Sequence, residues 1–96
     1  MSLRKNLDDL AGAVGAAAAM APDEYDPGSY ITYEFNMAEI RKLWAAARPK
    51  IRRDLNQATV LDGKLNSMLS AFEAGDKKLG RKIAWDIYNS KPEKLK

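Results

Sequence analysis

The stretch that decides the fold is Asn36 to Phe72, NMAEIRKLWAAARPKIRRDLNQATVLDGKLNSMLSAF. Apolar residues recur along it at gaps of mostly three or four positions. This repeat places side chains along one face of an α-helix. The pattern therefore predicts a main helical region over residues 36–74, with one apolar face turned toward a core.

Two features within this region indicate breaks. Pro49 removes a backbone hydrogen bond from a helix interior and clashes with the preceding turn. The helix therefore either kinks at this residue or ends near Arg48, with a second helix beginning at Pro49. The apolar face keeps its phase across Pro49, which favours the kink. Asp62 and Gly63 form a second candidate break. An unbroken helix over 36–74 would be longer than about 50 Å, too long for a compact chain of 96 residues, so we expect at least one break.

The segment before this region divides into a helix and an arm. Residues 1–21 are rich in alanine, the residue with the highest helix propensity, and Ser2 can cap the start of this helix. Its many small residues allow another backbone to approach closely. Residues 22–35, PDEYDPGSYITYEF, are predicted as a linker with a turn and an extended aromatic stretch. Asn36 and Glu39 are spaced like a capping box, which predicts that the next helix starts there.

The segment after the main region is predicted as one short basic helix over 76–90. Gly75 can adopt the left-handed conformation that ends a helix, and Asp76 can cap the next one. The chain is therefore predicted as a single all-α domain over 1–96, a small bundle of three to five helices with an extended aromatic arm at 22–35. Its predicted core comprises Leu7, Leu10, Val14, Ile40, Leu43, Trp44, Ile51, Leu55, Leu65, Leu69, Phe72, Leu79, Ile83 and Ile87.

The residue types present argue against catalysis. The chain has no cysteine and no histidine. Disulfides, thiolate zinc sites, cysteine nucleophiles and the usual general base near neutral pH are therefore excluded. No glycine-rich phosphate loop is present, and the acidic residues of the arm lack the spacing of a calcium loop. We therefore expect no enzyme, no metal and no cofactor.

Charge is distributed unevenly along the chain, whose net charge is +3. Residues 1–40 carry two basic and seven acidic side chains, residues 41–56 carry six basic and one acidic, and residues 57–96 carry eight basic and five acidic. Such asymmetry can attract a charged partner. It can equally be internal, with the acidic arm lying across the basic helix, and the sequence leaves both interpretations open.

The densest basic cluster lies within residues 41–53. At about 100° per residue, Arg41, Arg48 and Arg52 fall on nearly the same side of a helix. Arginine binds phosphate and carboxylate groups in a bidentate manner, and Trp44 beside this face could stack on a base. The alternative is a solvated helix face with a tryptophan in the core. The candidate partner-binding residues are Tyr30, Tyr33, Phe35, Arg41, Lys42, Trp44, Arg48, Arg52 and Arg53.

Two functional hypotheses follow, from different classes. The first is a non-enzymatic protein-interaction module, an inhibitor, adaptor or assembly subunit that binds a larger protein or itself through the aromatic arm. The second is a nucleic-acid-binding module that uses the basic helix 41–53. A cytoplasmic location is expected, since no segment is apolar enough to span a membrane. A weaker third possibility is a secreted protein whose first segment is removed, which Asp8, Asp9 and Pro22 argue against.

Overall fold

The computed structural model describes residues 2–96, and the bundle predicted from the sequence is present. The four α-helices are α1 Leu3–Met20, α2 Tyr33–Ala47, α3 Leu55–Glu73 and α4 Lys77–Asn89. Single 3₁₀ turns follow α2 at Arg48–Lys50 and α4 at Pro92–Lys94. The described residues form no β-strand, which confirms the predicted all-α class.

Helix α1 runs antiparallel to α2 and to α4. The amide of Asn36, near the start of α2, donates to the carbonyl of Ala13, and Lys50 beyond the end of α2 reaches back to Asn6. The guanidinium of Arg81 donates to the carbonyl of Ala21 just beyond α1, at 2.6 Å. Ion pairs between α3 and its neighbours show that it is antiparallel to both α2 and α4. The four helices therefore form an up-and-down bundle.

The alanines of α1 allow this helix to pack on both sides. Its buried residues lie on more than one face because α2 and α4 both cover it. The largest side chains with no exposed surface come from all four helices. They are Leu7, Leu10, Val14, Ile40, Met68 and Ile87.

Most of the predicted core is confirmed, and two members of it are wrong. Leu55 and Leu79 are 51% and 44% exposed. Each lies in the first turn of its helix, where the partner helix does not cover it. Trp44, Leu69 and Ile83 are half-buried and pack against the core. The prediction missed several buried residues of the same helices, Met37, Ala47, Ala58, Leu61, Met68 and Ala84.

The structure agrees with one of the two alternatives at Pro49, the end of a helix near Arg48, and it contradicts the second candidate break. Helix α2 ends at Ala47, and Pro49 lies in the 3₁₀ turn, so the chain breaks there instead of kinking. The proline cannot donate to the preceding turn, and Ile51 continues in extended conformation. Gly63 lies inside the uninterrupted helix α3, so the second candidate break is wrong. Packing of α3 against its neighbours outweighs the low helix propensity of one glycine.

The capping signals were predicted more accurately, with one exception. Ser2 accepts from the backbone N–H of Lys5, Asp76 accepts from that of Leu79, and Gly75 has a φ of +79°. Helix α2, however, begins at Tyr33 instead of Asn36. Thr32 is its N-cap and accepts from the N–H of Phe35 at 3.1 Å. The arm is therefore shorter than predicted, because its last three residues form the first turn of α2.

Two helical glycines should respond to alanine with opposite signs. A Cβ on Gly80 would lie 2.5 to 2.9 Å from ring atoms of the buried Phe72, whereas a Cβ on Gly63 would meet nothing within 4 Å. We expect Gly80→Ala to lower the free energy of unfolding by about 1–3 kcal/mol through overpacking. Gly63→Ala should raise it by about 0.5–1 kcal/mol through helix propensity. Urea denaturation measures the free energy of unfolding of both variants. A Gly80→Ala protein as stable as wild type would contradict the close packing of Gly80 against Phe72.

Candidate functional site

The three aromatic residues predicted to act together point in different directions. The rings of Tyr30 and Phe35 pack edge to face with their centroids 5.8 Å apart, and Tyr30 is 81% exposed. Tyr33 instead packs edge to face on the core residue Phe72, at 6.2 Å. Tyr33 and Phe35 are two positions apart within α2, which turns their side chains to different faces. The exposed pair is therefore Tyr30 and Phe35, and Tyr33 belongs to the packing of the bundle.

A groove that is lined in part by acidic residues lies beside Phe35, between α1 and α2. Its volume is about 550 Å³. Asp8, Asp9 and Glu39 supply its negative charge, and Lys42 is the cation that lines it. The rest of the groove is lined by apolar residues, Ala13, Ala16, Ile31, Phe35 and Leu43. Gly12 also lines it, and a Cβ at this position would meet no atom within 4 Å. We call this feature the acidic groove.

A buried hydrogen-bond network fixes the arm beside this groove. The hydroxyl of Tyr25 donates to Oδ1 of Asn36 at 2.6 Å, and Nδ2 of Asn36 donates to the carbonyl of Ala13 at 3.0 Å. Asn36 is 2% exposed. It joins the arm, α2 and α1 instead of capping a helix, and burial with both functional atoms of its amide paired makes it costly to replace.

The acidic part of the arm is neutralised within the molecule. Glu24 lies 3.0 Å from Nζ of Lys77 and 2.9 Å from the guanidinium of Arg81, and Asp23 lies 3.0 Å from Nζ of Lys77. The hydrogen bond from Lys77, followed by that from Arg81, lowers the pKa of Glu24. The expectation that the arm pairs internally is therefore supported, but its partner is α4 and not the basic stretch 41–53.

The basic cluster predicted on one helix face does not form one surface. Arg41 pairs with Glu73 of α3 at 3.1 Å, and Arg48 pairs with Asp62 at 3.1 Å. The other oxygen of Asp62 accepts from the indole N–H of Trp44 at 2.7 Å. Three of the predicted site residues thus join α2 to α3. Periodicity could not reveal this, since their acidic partners lie far along the chain.

Two of the remaining basic residues of the cluster, Arg52 and Arg53, lie beyond the end of α2. Arg52 and Arg53 are exposed on the irregular stretch 51–54, because the break at Pro49 removes them from the helix. They lie beside Arg4 and the tail residues 93–96 at one end of the bundle. Lys42 stays on α2 and faces the acidic groove.

The acidic groove contains residues that sequence reasoning did not select. Asp8, Asp9, Gly12, Ile31 and Glu39 line it, yet they come from three segments with no shared pattern. A usable signal was present in α1, where two acidic residues precede a glycine at the start of the alanine-rich half of the helix. Among residues 2–96, no group of acidic side chains has the arrangement of a metal site. No helix of that range has both the length and the apolar character needed to cross a membrane.

Comparison with known proteins adds no identification. The chain matches no family model, no curated protein and no solved structure. Function must therefore be inferred from the acidic groove and the other surfaces themselves.

The network around Asn36 gives a pH-dependent prediction. Burial raises the pKa of Tyr25 from its ordinary value of 10.0 to about 12. Because the folded-state pKa is the higher one, the stabilisation is complete below pH 10 and is lost as the pH rises toward 12. Tyr25→Phe should lower stability at neutral pH and weaken the fall in the free energy of unfolding above pH 10. Denaturant titration at several pH values measures this. Tyr30→Phe, at an exposed ring, is the control and should behave as wild type.

Proposed function

We propose that this protein is a non-enzymatic protein-interaction module that binds a partner through the acidic groove and the exposed Tyr30–Phe35 pair. The partner segment that suits this surface is both basic and apolar, as in an amphipathic helix. The observation that carries the proposal is the position of Tyr30. Its side chain is 81% exposed and packs against Phe35 beside the groove.

An exposed tyrosine is a favourable residue for an interface. Aromatic side chains are enriched in interface centres, where they supply large contact area with few rotatable bonds. Tyr30 contacts Phe35 edge to face, so part of its conformational entropy is already lost before a partner binds. The hydrogen bonds of Asn36 hold the same region of backbone in place.

The charge of the groove defines the partner's chemistry. Asp8 and Asp9 each have a cation one helical turn earlier, Arg4 at 3.6 Å and Lys5 at 2.9 Å. These pairs are exposed, and such pairs are weak in water. A basic partner segment can therefore add to them or replace them. A groove lined by both apolar and acidic residues suits a basic amphipathic helix laid in it.

The proposal also includes the type of interaction module and the location that the sequence suggested. An inhibitor, adaptor or assembly subunit would act through such a surface without a catalytic site. A cytoplasmic location is part of the proposal and rests on the sequence, not on the fold. Binding of nucleic acid by helix 41–53 is disfavoured, because Arg41, Arg48 and Trp44 already pair with acidic side chains.

Three variants test the groove. Tyr30→Ser with Phe35→Ser removes the exposed aromatic pair, and Gly12→Gln blocks the groove without removing a contact, since a Cβ there meets nothing within 4 Å. Leu55→Ser with Val60→Ser is the matched control, because it removes exposed apolar surface from α3. Far-UV circular dichroism should show all three folded.

The readout is crosslinking of each variant in lysate of the source cells, treated with nuclease, followed by peptide mapping. We expect wild type and the control to crosslink one protein through a basic, apolar segment. Both groove variants should lose at least about tenfold of this product, which corresponds to about 1.4 kcal/mol. Retention of the product by both groove variants would contradict the proposal. Crosslinks to a second copy of this chain, in place of another protein, would replace the foreign partner by self-association.

A further inference from the structure

Three separate segments of the chain meet around a concave surface at one end of the bundle. They are the start of α1, the stretch that follows Pro49, and the tail after α4. The concavity has a volume of about 920 Å³. Six basic residues and one acidic residue, Glu93, line it, and we call it the basic basin. The basic residues are Arg4, Lys50, Arg52, Arg53, Lys94 and Lys96.

Backbone hydrogen bonds hold two walls of the basic basin together. The successive N–H groups of Arg52, Arg53 and Asp54 all donate to the main-chain oxygen of Lys96, at 3.3, 2.6 and 2.9 Å. The N–H of Lys96 in turn donates to the carboxylate of Asp54 at 2.8 Å. The side chains of Arg52, Arg53, Lys94 and Lys96 are therefore placed by main-chain contacts and do not need to pair with acidic groups to stay near one another.

The cations of the basin are placed differently from Arg41 and Arg48, which carboxylates hold in position. Arg41 and Arg48 each form an ion pair of 3.1 Å with a carboxylate. Within the basin, Arg4 contacts Asp8 at 3.6 Å with both side chains exposed, and Lys50 donates to the amide oxygen of Asn6. Among the described residues, the side chains that line this volume are thus mostly positive, with Glu93 as the acidic one. Like charges brought together in this way repel, so an anion that enters gains energy from several of them at once.

We propose that the basic basin binds a compact polyphosphate, a small ligand that carries several linked phosphate groups. Arginine and lysine bind phosphate oxygens through charge-assisted hydrogen bonds. A volume of about 920 Å³ is within the usual range of small-molecule sites. Leu3 and Leu95 are apolar lining residues, and within residues 2–96 no aromatic side chain lines the basin to stack a base. The ligand is thus recognised by its phosphates, and this proposal does not rest on the one made for the acidic groove.

Isothermal titration calorimetry with sodium tripolyphosphate at low salt tests the proposal. We expect binding that weakens steeply as salt is added. Inorganic orthophosphate should bind much more weakly, because it engages fewer of the cations. A nucleoside triphosphate should bind no more tightly than tripolyphosphate. These two arms separate recognition of linked phosphates from recognition of a single phosphate or a base.

Matched variants separate the basin from net charge. Arg52→Gln with Arg53→Gln, and independently Lys94→Gln with Lys96→Gln, should each reduce tripolyphosphate affinity by about tenfold or more. Lys78→Gln with Lys82→Gln on α4 removes the same charge elsewhere and should change affinity by less than about twofold. The backbone contacts at 52–54 remain in all variants, and circular dichroism checks their folding.

Several outcomes would overturn the proposal. One is the absence of tripolyphosphate binding to the wild-type protein at low salt. Another is an equal loss of affinity in the α4 control, which would mean that only net charge matters. Binding of a thymidine oligonucleotide without binding of tripolyphosphate would replace the proposal by a nucleic-acid surface.

Discussion

The close approach of α2 and α4 to α1 is the constraint on which the rest of the structure depends. A helix covered from two sides must carry small side chains where its neighbours come nearest, and α1 carries alanine or glycine at these positions. At Gly15, an added Cβ would lie 2.9 Å from the ring of Tyr88 in α4. Leu7, Leu10 and Val14 then fill the volume that the small residues leave. The alanine-rich segment is therefore the helix on which α2 and α4 both pack, and α3 packs on α4.

The break at Pro49 determines where the positive charge of the chain is displayed. An uninterrupted helix would have kept Arg41, Arg48 and Arg52 on one face. Ending α2 at Ala47 leaves Arg41 and Arg48 beside α3, where carboxylates neutralise them. Arg52 and Arg53 are carried to the end of the bundle, where the tail residues add to them. One residue without a backbone N–H thus separates a single predicted basic face into a structural part and an exposed part.

The sequence predicted what is decided locally. Ser2, Asp76 and Gly75 cap or end helices through atoms within a few residues, so their roles could be read directly. The start of α2 was misplaced because Thr32 and Asn36 both precede suitable residues, and only the burial of Asn36 decides between them. The groove and the basin could not be predicted in this way. Each is assembled from three segments whose meeting depends on tertiary packing, and spacing along the chain does not encode it.

Ion pairs within the bundle neutralise part of the charge, so the charge asymmetry along the sequence becomes an asymmetry between surfaces. Folding pairs the acidic arm with α4, and it pairs the cations of α2 with the acidic residues of α3. Outside these pairs, charge of one sign is concentrated in the acidic groove between α1 and α2, and charge of the other sign in the basic basin at the end of the bundle. Both surfaces include the first turns of α1, where Arg4 contacts Asp8 across the boundary between them. Folding thus places charge of opposite sign on two adjoining surfaces, which meet at the Arg4–Asp8 contact.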